Sequence, residues 1–162
     1  MILFHGSYKI INKPDLSFSR LRTDFGRGFY LTPIKDQAKS WANRFLVQQG
    51  AAAISIYELK YDNIINFPGD IKILKFNSYS IEWLEFIASC RLGLPVDEQY
   101  DLIIGGVAND KVFDTLQLYF DKYITANEAI GRLKYDKPNL QYCFKTQSIM
   151  DDILKYIDSE VL

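Results

Sequence analysis

The chain has 162 residues, a formal net charge of -1, 48% hydrophobic and 24% charged residues, which is the composition of one folded domain rather than of a disordered segment. Lys and Arg are spread without a basic run, which argues against a surface that works by neutralising many phosphates. No apolar stretch approaches the roughly 20 residues of a spanning helix, the start lacks the pattern of a secretory signal, and two distant cysteines, Cys90 and Cys143, lack zinc-site spacing, so a reduced cytoplasmic setting without metal is expected.

Residues 2 to 5 read as a strand ended by Gly6 and Ser7, and residues 28 to 32 as a second. A helix follows, with Thr32 suited to the N-cap, Pro33 to the first helical position and Gly50 to the exit. Its Ile34, Ala38, Trp41 and Phe45 fall on one face, expected to pack on the sheet. Residues 52 to 59 and 71 to 76 are strand candidates, with "NFPGD" between them as a turn. A helix from about Ser80 to Arg91 carries Ile81, Leu84, Ile87 and Ala88 on one stripe, and residues 100 to 106 form a buried strand closed by Gly105 and Gly106. Two short helices follow Asn109 and Thr125, the second with a capping box of Thr125 and Glu128. A strand at about 140 to 146 and a helix from about Ser148 to Ile157 complete a single α+β domain, residues 1 to 162.

"TDFGRGFYLT", residues 23 to 32, sets two glycines just before a strand that carries Tyr30. It is not a dinucleotide fingerprint, because those glycines sit between a strand and a helix, and "IIGG" at 103 to 106 lacks the remainder of a phosphate loop. His5 is the single histidine, so any imidazole chemistry must use it. Alone it reads first as a structural or surface residue. A nucleophile pair of His5 with Cys90 or Cys143 is a remote alternative, since both cysteines lie in apolar periodic segments.

Taken in order, "LFHGS", then "GRGFYLT" leading into a helix with Ala38 and Trp41, then "QYCFKT" leading into the last helix, resemble the catalytic core of the ADP-ribosyltransferase superfamily. The likeness is to the branch that includes the poly(ADP-ribose) polymerases, with its His-Tyr-Glu triad, and to uncharacterised bacterial proteins with the same three blocks. It implies a split β-sheet with flanking helices and NAD as co-substrate. On that resemblance His5, Gly6, Ser7, Gly28, Tyr30 and Trp41 would bind NAD: His5 at the adenine-side ribose, the Gly6 backbone at the carboxamide, Tyr30 and Trp41 at the nicotinamide ring. The glycines would then keep side chains away from the dinucleotide.

Breaking the bond between nicotinamide and ribose builds positive charge on the sugar, which a carboxylate in the third triad position opposes. Gln141 stands there, able to hydrogen-bond but uncharged, and Ala38 stands near where relatives carry a hydroxyl. Glu128 and Asp101 are other carboxylates that could supply the charge. The expected activity is therefore transfer of a single ADP-ribose, with His5, Tyr30 and Gln141 as catalytic residues and a protein acceptor favoured over nucleic acid. A toxin or effector role with an antitoxin partner is implied by the small bacterial relatives. The alternative is an impaired module that binds NAD or ADP-ribose, or a protein partner.

Overall fold

A computed structural model describes residues 1–60, 71–108, 110–133 and 139–162, with the side chains of residues 110 and 111 left undescribed. The expected "NFPGD" turn lies outside these residues. The described residues form two sheets with helices, an α+β fold.

The first sheet has the order β1-β3-β7, from Ile2–Ser7, Ala53–Leu59 and Leu154–Val161, all antiparallel. The second has the order β2-β6-β5-β4, from Phe29–Leu31, Leu140–Phe144, Leu102–Gly106 and Ile73–Lys75, where β4 and β5 run parallel. An isolated bridge between Phe4 and Thr32 joins β1 to the end of β2 where the sheets part. Among the described residues, five α-helices flank them: α1 Lys35–Gln49, α2 Ile81–Leu92, α3 Asp110–Phe120, α4 Ala126–Leu133 and α5 Gln147–Ile153.

Side chains alternate across a strand, and this alternation divides the core in two. Phe29, Leu31, Leu102, Ile104, Tyr142 and Phe144 join Leu3, Tyr57 and residues of α5 in a cluster between the sheets. Ile103 and Cys143 face the other way, onto Trp83, Leu84 and Ile87 of α2, Leu116 of α3 and Leu133 of α4. Tyr30 packs against this second cluster.

Several expected boundaries move. β1 runs through Gly6 and Ser7 instead of stopping at them, because Gly6 pairs with Ile54 and Ser7 with Ala53. α1 begins at Lys35, with Ile34 at its N-cap; Thr32 is held in the bridge to Phe4, and its hydroxyl accepts from the Ile34 amide at 3.1 Å. Gly50 does end this helix, in the left-handed region at φ 69. The buried face of α1 is Ala38, Ala42 and Phe45, while Ile34 and Trp41 lie outside it at 39% and 46% exposure. A Cβ on Gly6 would strike the Ala38 carbonyl, so the glycine and the alanine together let β1 and α1 touch through their backbones.

In α2 the Ser80 cap is as expected, accepting from the Trp83 amide at 3.2 Å. Its buried residues are Trp83, Leu84, Ile87 and Cys90, however, and Ile81 is exposed. The capping box forms before α4, with Glu128 Oε2 accepting from the Thr125 amide at 2.7 Å. The largest difference is at the C-terminal side. The helix expected to reach Ile157 stops at Ile153, and residues from Leu154 become β7, where Leu154 pairs with Leu59 and Tyr156 with Tyr57. Leu154 and Tyr156 meet the core at a period of two, which takes over from the helical period of Ile149, Met150 and Ile153.

Candidate active site

Residues 23–28 form a turn that two side chains, Tyr30 and Lys145, hold from inside. The Tyr30 hydroxyl donates to the Gly26 carbonyl at 2.6 Å, accepts from the Phe25 amide at 3.0 Å and meets the Thr23 hydroxyl at 2.7 Å. Lys145, next to the end of β6, sends its ammonium to the Phe25 carbonyl at 2.8 Å, to the Arg27 carbonyl and to the Asp97 carboxylate. Gly26 takes the left-handed conformation at φ 67, and a Cβ there would meet Asp97. A Cβ on Gly28 would meet the Cys143 sulfur and the Phe144 carbonyl. Both glycines are thus required by packing onto the protein's own residues, a physical reason that the sequence reading did not supply.

Asp24 sits at the centre of the turn's other side. Its Oδ1 accepts from Arg91 Nε at 3.2 Å and Nη2 at 2.5 Å; its Oδ2 accepts from the Ala108 amide at 3.0 Å and from Gln141 Nε2 at 3.2 Å. Gln141, buried on β6, also donates from Nε2 to the Gly106 carbonyl at 3.3 Å. Asp24, Arg91 and Lys145 did not stand out in the sequence, because their partners lie far along the chain and no spacing links them. The carboxylate beside Gln141 is Asp24, not either of the two that the sequence offered. Glu128 caps α4, and Asp101 accepts from the Thr146 hydroxyl at 2.5 Å and the Lys72 amide at 2.9 Å.

His5 lies within β1 rather than at its end, and stacks on Phe29 with ring centroids 4.4 Å apart. Its Nδ1 is 2.7 Å from the Tyr30 carbonyl, which can accept but not donate, so Nδ1 carries the proton. Burial lowers the imidazole's pKa below 6.5, partly offset by that hydrogen bond, and keeps the ring neutral with Nε2 as an acceptor. A lowered histidine pKa means that the unfolded chain binds a proton which the folded chain refuses. Stability from this group is therefore complete above the unfolded value of 6.5 and falls as pH drops below it toward the folded value. Thermal melts between pH 8 and 5 should show a decline in that acid window that His5→Gln makes shallower.

His5, Gly6, Ser7, Gly28, Tyr30, Trp41 and Gln141 all border one groove of about 1400 Å³, along with Asp24 and Arg91. Tyr30 and Gln141 share a face of the second sheet, since Tyr30 pairs with Cys143 and Gln141 is two residues from it. The His5 ring is not hydrogen-bonded to either side chain; it leans on Phe29, whose side chain belongs to the opposite face, and reaches Tyr30 through the backbone. Ser7 is buried at the end of β1. Trp41 carries the Arg44 guanidinium over its ring at 4.8 Å.

Burial pushes the Tyr30 phenol well above its usual pKa, so it stays protonated at neutral pH. It pushes both cysteine thiols up to about 12, which leaves them poor nucleophiles, and neither is bonded to His5. Among the described residues no group of three or more His, Cys, Asp or Glu could hold a metal ion, and no helix is long and apolar enough to cross a membrane.

A family model described as a protein of unknown function, DUF3990, matches residues 1–156. No curated protein matches the chain. No solved structure does either.

Proposed function

This chain belongs to the DUF3990 family, and within it we propose that the protein is an NAD-dependent mono-ADP-ribosyltransferase built on an ADP-ribosyltransferase-like split sheet. The observation that supports this reading is the meeting of His5, Tyr30 and Gln141 along one groove, at the point where the two sheets separate. The groove exceeds the roughly 300–1,000 Å³ of common small-ligand pockets and has room for a dinucleotide.

In this reading the nicotinamide ring lies between Tyr30 and Trp41, and His5 Nε2 accepts a hydrogen bond from the adenine-side ribose. Gln141 Oε1 accepts one from a hydroxyl of the reacting ribose. The bond from the ribose carbon to the nicotinamide nitrogen breaks with its electron pair leaving on nicotinamide, and the acceptor's nucleophile bonds to that carbon as it loses its proton. Holding a bent substrate by both ends converts binding energy into orientation. We place the reaction in the cytoplasm, on a protein acceptor, with an antitoxin as the natural partner of such an activity.

A second reading, a module that binds NAD or ADP-ribose without turnover, is favoured by the neutral amide at position 141. Nicotinamide release from NAD by the native chain tests the first. His5→Ala should lower kcat/KM about tenfold, the value of one hydrogen bond of roughly 1.4 kcal/mol. Saturable heat on titration with NAD but no release would favour the second reading. Neither heat nor release would end both.

A further inference from the structure

We propose that Asp24 is a positioning residue that fixes the side-chain amide of Gln141 with its oxygen toward the groove, so that the site keeps a carboxylate one side chain behind its neutral contact. The inference rests on the transferase reading and deepens it.

The amide nitrogen of Gln141 is flanked by two groups that can only accept, Asp24 Oδ2 at 3.2 Å and the Gly106 carbonyl at 3.3 Å. Reversing the amide would set oxygen against oxygen at both, so its orientation is forced by its neighbours. Gln141 thereby becomes an obligate acceptor toward the groove, the same hydrogen-bonding role that a carboxylate would play. A glutamine without such flanking acceptors could turn either end to a ligand.

Asp24 does not itself contact the ligand in this scheme. A carboxylate has about four acceptor positions, and Arg91 fills two while Ala108 and Gln141 fill the others. Its side chain is 12% exposed and that of Arg91 22%. Its charge polarises the Gln141 amide, which strengthens Oε1 as an acceptor, since successive hydrogen bonds reinforce each other. The same closeness forbids the simplest restoration of a triad carboxylate. Gln141→Glu alone would set two carboxylates against each other at the distance now spanned by a hydrogen bond, and one would be driven to hold a proton.

A charge exchange tests this. Asp24→Asn, Gln141→Glu and the double variant are compared with the native chain by nicotinamide release, by NAD calorimetry and by thermal melts. Each single variant should lose about tenfold or more in kcat with little change in KM, and about 2–4 °C or more in Tm. The double variant, which puts the carboxylate at 141 and the amide at 24, removes the repulsion between carboxylates and should recover part of both losses, since the Gly106 carbonyl and the Ala108 amide still face like groups. Losses that simply add in the double variant, or an Asp24→Asn chain with native kcat, would overturn the proposal. A native chain that neither binds nor cleaves NAD would overturn the transferase reading, and with it the ligand role of the pair, while recovery of Tm in the double variant would still show their structural coupling.

Discussion

Lys145→Met should cost the protein about 3–5 kcal/mol, the penalty for removing one partner of a buried ion pair. The Lys145 and Asp97 side chains are 7% and 12% exposed, and the ammonium also holds the Phe25 and Arg27 carbonyls. Methionine matches the length of the lysine stem but leaves Asp97 charged and unpaired beneath Gly26. For a chain of this size, 1 kcal/mol corresponds to about 2–4 °C, so the melting point should fall by roughly 10 °C. Adding Asp97→Asn removes the orphaned charge and should recover part of the loss. A variant within a degree of native would show that the 23–28 turn does not depend on this clamp.

Tyr30→Ala should be the second most damaging change, at about 3 kcal/mol, the lower end of the core-aromatic range because its ring is partly buried. Its ring packs on the helix-side core, and its hydroxyl meets Thr23, Phe25 and Gly26 in the turn that carries Asp24. Loss of NAD cleavage in that variant would therefore not separate a ring stacked on nicotinamide from a wall that holds the turn. Tyr30→Phe makes the separation. It keeps the flat face, removes the three hydroxyl contacts and should cost about 1–3 kcal/mol through the unsatisfied Phe25 amide. If the ring does the binding, Tyr30→Phe retains NAD affinity while melting earlier. If affinity falls in step with stability, the hydroxyl network is what the ligand depends on.

Local signals in the sequence located most elements. Gly50 past α1, Ser80 before α2 and the Thr125–Glu128 box each act over one helical turn, within reach of spacing alone. What the spacing could not reach was set by distant partners. β7 looked like the continuation of a helix because Ile149, Met150 and Ile153 share a helical face, and the change of period at Leu154 becomes visible once β3 supplies the ladder. Trp41 was grouped with Ala38 and Phe45 by period, but α1 approaches β1 so closely at Gly6 that the small Ala38 and Ala42 occupy the contact and the indole is turned outward. In the site, His5, Tyr30 and Gln141 were legible as residues that border a common groove. Their surroundings were not, since Asp24 gains its meaning from Arg91, Ala108 and Gln141, all remote from it in sequence.

The strand order has a consequence for the nascent chain. β2 is an early segment whose ladder partner, β6, is synthesised far later, and β3 likewise waits for β7 on its second edge. Pairings so distant in sequence close slowly and late in folding. While the ribosome is still delivering the last strands, His5 and Tyr30 have emerged but the ledge bearing Gln141 has not. Any catalytic power of the groove is thus withheld until translation of β6 is complete, so that a truncated product should be inert.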